Sequence, residues 1–354
     1  MQSGLAVTVM AALLAGRAAA EVVIYPATDA RAPQELVIYS TLDTLLAAPL
    51  ISAFQADHPT VSVRYEDLLA GDISARVMSE TDAGQATADI VFSSAMDLQV
   101  KLANDGYAQA VDVPAARRWP AWANWQDTAF ALTFEPGVVV YHKPSFPQGP
   151  PQSRLELMDW LALAPPALQG KTGTYDIERS AVGYLLLARD AEHFADIWSL
   201  IRIMAAAGLQ TFPTSQDIID RVADGRLVLG YNILGSYAAA QARSQPDLGL
   251  VLLRDFTVVV SRVALVPRAA GNADLGRAFL AFLMSVEGQT LLSEKLLLPA
   301  VSLDVPGVDS AQAMQSELGD QLRPVPVSPG LLVYLDQAKR QRLIRLWRDA
   351  LTGK

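Results

Sequence analysis

The chain has 354 residues, 51% of them hydrophobic and 18% charged, with a formal net charge of −9 and no cysteine. This length exceeds what one core usually organises, so two lobes are expected, and the composition excludes a disordered chain. The acidic balance excludes nucleic acid, which demands clustered Lys and Arg, and the missing thiols exclude disulfides, thiolate metal sites and a lipid-anchored Cys.

The first twenty residues read as a secretory signal. Leu5 to Leu14 is an apolar run of suitable length, and Ala18-Ala19-Ala20 supplies small residues before Glu21, although Met1 to Gly4 carries no Lys or Arg. A buried helix is the alternative reading. The run is too short to span a bilayer, and no later stretch reaches about 18 uninterrupted apolar residues. A soluble, exported protein is expected.

Residues 21–34, with Pro26 and Pro33, read as an extended lead-in. From 35 onward strands and helices alternate: strand 35–40, helix 44–57, strand 61–65, helix 71–82, strand 88–93 and helix 95–105 ending at Gly106. Leu45, Leu46, Leu50, Ile51 and Phe54 mark one face of the first helix. This βαβαβ order favours a parallel sheet. The stretch 113–126 reads as loop, with Trp119, Trp122 and Trp125 packing on the surface rather than lining a cleft.

Strands 128–134 and 137–141, split by Glu135-Pro136-Gly137, carry the chain into a second lobe. There the pattern gives helix 153–163, strand 171–176, a long helix from 180, helices 192–207 and 215–224, and strand 227–231. Thr214-Ser215-Gln216-Asp217 has the capping-box form that fixes a helix start. Strands 250–253 and 257–266 cross back, residues 274–298 read as helices, and 331–352 as a basic amphipathic helix. The expected organisation is a signal peptide over 1–20, a discontinuous first lobe over 35–132 plus 258–305, and a second lobe over 138–255. A helical tail over 306–354 is expected to pack on the first lobe.

Enzyme motifs are mostly absent. Gly170-Lys171-Thr172 mimics the end of a phosphate-binding loop, but Pro165 stands where its first glycine is needed. Neither a nucleophile elbow nor a dinucleotide fingerprint occurs. His58, His142 and His193 show no metal-ligand spacing, and His58 reads as a solvated charge at a helix end. No metal and no cofactor are expected.

Two strands instead run into paired hydroxyls, Ser40-Thr41 and Ser93-Ser94, and in open α/β sheets ligands bind beyond the carboxyl ends of the strands. Helix capping is the alternative for these residues, and Asp43 reads as a cap. Arg179-Ser180 opens the apolar helix from Ala181, where unpaired N–H groups and a partial positive charge accept an anion. The alternative makes Ser180 a plain cap and pairs Arg179 with Glu178 or Asp176. Tyr231-Asn232 offers an aromatic wall, a donor and an acceptor, unless these residues only cap and pack.

The residues Leu36-Val37-Ile38-Tyr39-Ser40, Ala88-Asp89-Ile90-Val91-Phe92-Ser93-Ser94, Gly137-Val138-Val139-Val140-Tyr141 and the run Ala278 to Gln289, closing in Ser285-Val286-Glu287-Gly288-Gln289, carry a family likeness. Over roughly 35–305 the chain resembles the periplasmic solute-binding proteins of ABC importers, in the group with ferric-ion-binding and organophosphate-binding members. The resemblance implies a type II periplasmic-binding fold, in which two α/β lobes joined by a two-strand hinge close on ligand. The ferric ligands of that group do not carry over, since their positions fall on Asp43, Ser94 and Ile233-Leu234, and hard Fe(III) needs several anionic oxygens. Its anion-holding helix start is matched by Ser180-Ala181. The implied function is capture of a small anion by Ser40, Thr41, Ser93 and Ser94 from one lobe and Arg179, Ser180, Ala181, Tyr231 and Asn232 from the other. A monomer delivering it to a membrane permease is expected. The alternatives are a sensor subunit signalling to a membrane kinase, with the basic C-terminal helix as a docking surface for either partner, and a ferric-ion binder with altered ligands.

Overall fold

The computed structural model of the protein describes residues 21–29, 31, 33–307 and 310–353; the segment read as a signal, 1–20, lies outside them. Strands β1 (Glu21–Tyr25), β2 (Gln34–Ser40), β3 (Val61–Asp67) and β4 (Ile90–Ser93) alternate with α1 (Thr44–Asp57), α2 (Ala70–Asp82) and α3 (Met96–Asn104). Short strands β5 (Asn124–Trp125) and β6 (Ala129–Ala131) follow. The next stretch holds β7 (Glu135–His142), α4 (Arg154–Ala162), β8 (Thr172–Tyr175), α5 (Ala181–His193), α6 (Ile197–Ala206) and β9 (Gln210–Phe212). It continues through α7 (Ser215–Ala223), β10 (Leu229–Leu234), α8 (Gly235–Ala242), β11 (Leu248–Val251) and β12 (Thr257–Val260). Last come β13 (Val263–Leu265), α9 (Ala273–Leu283), α10 (Val286–Glu294), α11 (Ala311–Leu318), β14 (Leu322–Pro324) and α12 (Gln337–Thr352).

The strands form two sheets, β1-β3-β2-β4-β13-β6-β5 and β14-β12-β7-β10-β8-β9, with β11 also paired to β7. In the first, β2 runs parallel to both β3 and β4, and Ser40 stands opposite Asp67 on one side and Phe92 on the other. Leu36, Ile38, Val63 and Ile90 are buried, as expected where helices cover both faces of parallel strands. The lead-in is more than extended chain, because β1 pairs antiparallel with β3. Leu36, Phe54, Phe92 and Phe279 share the first lobe's core. Val139, Leu186, Ile218 and Leu229 share the second's.

The chain passes between sheets three times: from β6 to β7 and from β12 to β13, which form a paired crossing, and from β13 to β14 in the tail. Leu132 N donates to Arg262 O at 2.9 Å where the two passages run side by side. The strand expected over 257–266 is therefore broken at Ser261-Arg262, and Thr257–Val260 belongs with the second sheet rather than the first lobe.

The tail departs further from expectation, because it does not settle on the first lobe. β14 pairs with β12, and α12 packs on α6 of the second lobe. The 3-10 turn over Pro329–Tyr334 rests on α3 of the first lobe. Burial decides this: Trp347 and Ala350 join the second lobe's core. The basic face finds partners there too, Arg348 Nε donating to Glu178 Oε1 at 2.8 Å and Arg340 lying 4.5 Å from the Tyr184 ring centre. Asp336 caps α12, so the helix starts six residues later than the sequence pattern gave.

Candidate functional site

The parallel register of β2 and β4 brings their carboxyl ends together, and with them the two hydroxyl pairs. Their roles differ from the expected ones. Ser40 is fully buried; its Oγ donates to Phe92 O at 2.8 Å and accepts from Leu42 N at 3.1 Å. Ser93 is buried too, its Oγ accepting from Ala95 N at 3.2 Å. Both shape turns, the competing use of small hydroxyl residues, and are removed from the ligand-facing set. Thr41 Oγ1 accepts from Ser94 N at 3.1 Å and lies 3.4 Å from Ser94 Oγ. Ser94 is exposed and lines an interlobe crevice of about 280 Å³.

Two helix starts face that crevice from the second lobe. Ser180 caps α5, its Oγ accepting from Gly183 N at 3.2 Å. Ala181 and Val182, earlier in the turn, have no acceptor within the helix. Gly183 permits the packing beneath: a β-carbon there would sit 2.3 Å from Tyr175 Cβ. Tyr175 OH lies 2.6 Å from Ser215 Oγ, linking this start to that of α7. Thr214 caps α7, accepting from Asp217 N at 3.1 Å as the capping pattern predicts, and Thr214, Ser215 and Gln216 line the crevice. Arg179 is exposed and stands outside the lining residues. The Thr214 hydroxyl, Arg221 and Arg179 together hold the Asp217 carboxyl below its ordinary value.

Tyr231 and Asn232 require correction. Both are buried, and they turn away from the crevice into a polar network. Tyr231 OH and Asn232 Nδ2 donate to Asp190 Oδ2 at 2.6 and 2.9 Å, and Arg154 Nη2 pairs with Asp190 Oδ1 at 2.7 Å. Asn232 takes φ of 63°, a left-handed conformation that Asn tolerates and that directs its amide inward. Burial pushes Asp190 upward, against the Arg154 cation and the Tyr231 donor.

The crevice floor is built where the chain passes between lobes, and sequence reasoning missed it. Glu135, 2% exposed, accepts from Thr133 Oγ1 at 2.7 Å and Ser236 Oγ at 2.6 Å. Arg262, also 2% exposed, approaches Glu135 Oε1 at 3.4 Å and donates from Nη2 to Tyr237 OH at 3.3 Å. Burial opposes its charge, but Glu135 and Tyr237 hold the guanidinium above its ordinary value. Beside it Ser261, 2% exposed, also lines the crevice. Among the described residues, neither Ser261 Oγ nor Arg262 Nε has a hydrogen-bond partner. The signal was present in the sequence: a Ser-Arg pair interrupts the apolar run Val258 to Val266, and an Arg is almost never buried without a paired role.

No group of three or more His, Asp or Glu is gathered as metal ligands among the described residues. Of the two tyrosines an iron site could recruit, Tyr231 is committed to Asp190, while Tyr237 lines the crevice and accepts from Arg262.

Residues 49–316 match the model of a bacterial extracellular solute-binding protein family. A comparison with curated proteins finds no significant match. Among solved structures, the substrate binding protein of the ABC transporter from Agrobacterium tumefaciens is 56% identical, with a TM-score of 0.85, covering 95% of this chain and 100% of that one. The periplasmic binding protein AfuA from Actinobacillus pleuropneumoniae, bound to fructose-6-phosphate, is 17% identical with a TM-score of 0.68 over 90% of this chain and 98% of that one. Iron-bound HitA from Pseudomonas aeruginosa is 16% identical, with a TM-score of 0.67 over 90% and 99%. The latter two share the fold alone. Family and neighbours are binding proteins rather than enzymes. The chain thus belongs to the bacterial extracellular solute-binding proteins, and it is a periplasmic substrate-binding protein of an ABC transporter.

Proposed function

We propose that the crevice captures a small anion, a phosphate ester, phosphonate or carboxylate, and that a monomer closed on it hands it to the permease. One observation carries the reading: the Ser261 hydroxyl is buried at the crevice floor with no partner among the described residues. Such groups are rare, because each costs about 1–3 kcal/mol. A ligand oxygen is the natural acceptor. The starts of α5 and α7 add N–H groups and partial positive charge, each worth about 0.3–2 kcal/mol toward an anion. The Arg262 cation lies beside them, its Nε 3.4 Å from Glu135 Oε1 but without a hydrogen bond of good geometry. Thr41, Ser94, Ser180 and Ala181 remain in the proposed contact set, with Arg262, Ser261 and Thr214 added. Ser40, Ser93, Arg179, Tyr231 and Asn232 leave it.

The test is Ser261→Ala, with calorimetry against inorganic phosphate, methylphosphonate, glycerol phosphate and succinate. The expected result is binding of at least one, weakened tenfold or more in the variant, since a hydrogen bond to a charged group is worth about 1.5–3 kcal/mol. The ligand-free variant should melt no lower than the parent, because an unpaired hydroxyl has been removed. Failure of every anion to bind, or equal affinity in the variant, overturns the reading.

A further inference from the structure

We infer that the crevice has a second, apolar compartment, and that the ligand is an anion bearing a short alkyl substituent rather than a bare or polyhydroxylated one. This rests on the anion reading above and names the part of the ligand that reading leaves open. The Arg262–Tyr237 pair forms the wall between the two compartments, since both residues line each of them. Beyond it lies a space of about 110 Å³, walled by Leu46 on α1, Ala240 on α8 and the run Leu296-Leu297-Leu298 after α10. The first lobe supplies the leucines and the second supplies Ala240, so an occupant here is gripped only when the lobes meet.

Both hydroxyls of this compartment, those of Ser236 and Tyr237, are already engaged. Ser236 Oγ donates to Glu135 at 2.6 Å, and Arg262 Nη2 donates to Tyr237 OH. Lys295 is exposed. A sugar hydroxyl placed here would be stripped of water with few groups free to replace it, which disfavours it. A methylene loses nothing. Leu297 adds an independent mark. Its φ is 57°, the left-handed conformation in which a helix end usually carries Gly. Strain of this kind persists where the surroundings hold it, commonly at ligand clamps. Here it sets Leu297 on the compartment wall.

The space is smaller than the dry cavity of about 150 Å³ that accepts six-carbon benzene, which scales to roughly four carbons. The test is calorimetry on the whole protein with inorganic phosphate and with methyl-, ethyl-, propyl-, butyl- and octylphosphonate. Affinity should rise about fourfold per carbon as each methylene leaves water, and level off near butyl. In Ala240→Phe, whose ring occupies the space, the series should be flat. Leu46→Ala, at a half-buried position that leaves the core intact, should reduce the gain per carbon. A flat series in the parent protein with methylphosphonate bound overturns this inference and leaves the anion reading standing. A sugar phosphate bound more tightly than butylphosphonate does the same. If no phosphate, phosphonate or carboxylate binds at all, the anion reading falls first and this inference with it.

Discussion

Replacing Arg154 by Met should cost the second lobe much of its stability, and removing Asp190 as well should return part of it. Arg154 is 2% exposed and Asp190 is fully buried. The guanidinium donates to Asp190 at 2.7 Å, to Asp255 at 3.1 Å, to Phe256 O at 2.8 Å and to Tyr231 OH at 2.9 Å. Its carbon also lies 3.7 Å from the Phe256 ring centre. Methionine keeps the stem and strands the carboxylate. Removing one partner of a buried pair costs about 3–5 kcal/mol, while replacing both by apolar groups is often neutral. Tyr231 and Asn232 still donate to Asp190 in the single variant, which favours the lower end, about 3 kcal/mol. At about 2–4 °C per kcal/mol, the melting temperature should fall by roughly 6–12 °C. Scanning calorimetry on Arg154→Met, Asp190→Leu and the double variant closes the cycle. The double variant should still melt below the parent, because Tyr231 OH and Asn232 Nδ2 lose their buried acceptor, but by less than the sum of the two single losses. A double variant that loses the sum of the two single losses would refute a coupled buried pair. Asp190 sits on α5, whose start faces the crevice, so ligand affinity should fall and recover in step.

Other outcomes test separate links. Gly183→Ala forces a β-carbon to within 2.3 Å of Tyr175 and should destabilise by about 1–3 kcal/mol, seen as a lower urea midpoint. Arg179→Ala, at an exposed position off the crevice, should alter ligand affinity far less than Ser261→Ala; an equal loss would return Arg179 to the site. Burial and the Arg189 cation hold His193 below its ordinary 6.5, so the folded chain binds fewer protons than the unfolded one as pH falls through that window. Acidification from about pH 7.5 to 5.5 should therefore lower the melting temperature more in the parent than in His193→Gln.

The architecture was readable because it rests on local pattern. Apolar runs of strand length, the Thr214 cap and the Ser180 helix start all lie within a few residues of what they organise, and the two helix starts hold to within a residue. The site was harder for a physical reason. Tyr231 follows a strand in the same manner as the hydroxyl pairs, yet its partners Arg154 and Asp190 are 77 and 41 residues away, and nothing nearby records that. Arg262 suffered the opposite fate. One cation inside a run of valines looks like an interruption of a strand until Glu135, 127 positions upstream, is brought beside it. Hydroxyls mislead most readily, since Ser40 and Ser93 satisfy the backbone at the same strand ends where a ligand is expected.

The carboxyl-terminal stretch leaves the second lobe at β14, touches α3 through its 3-10 turn, and comes home along α6. Tyr334 in that turn donates to Glu192 on α5 at 2.6 Å, so it is anchored on the moving partner of the surface it rests against. It behaves as a doorstop placed away from the door's axis. Any rotation of one lobe against the other would therefore have to slide the turn along α3 or lift it clear.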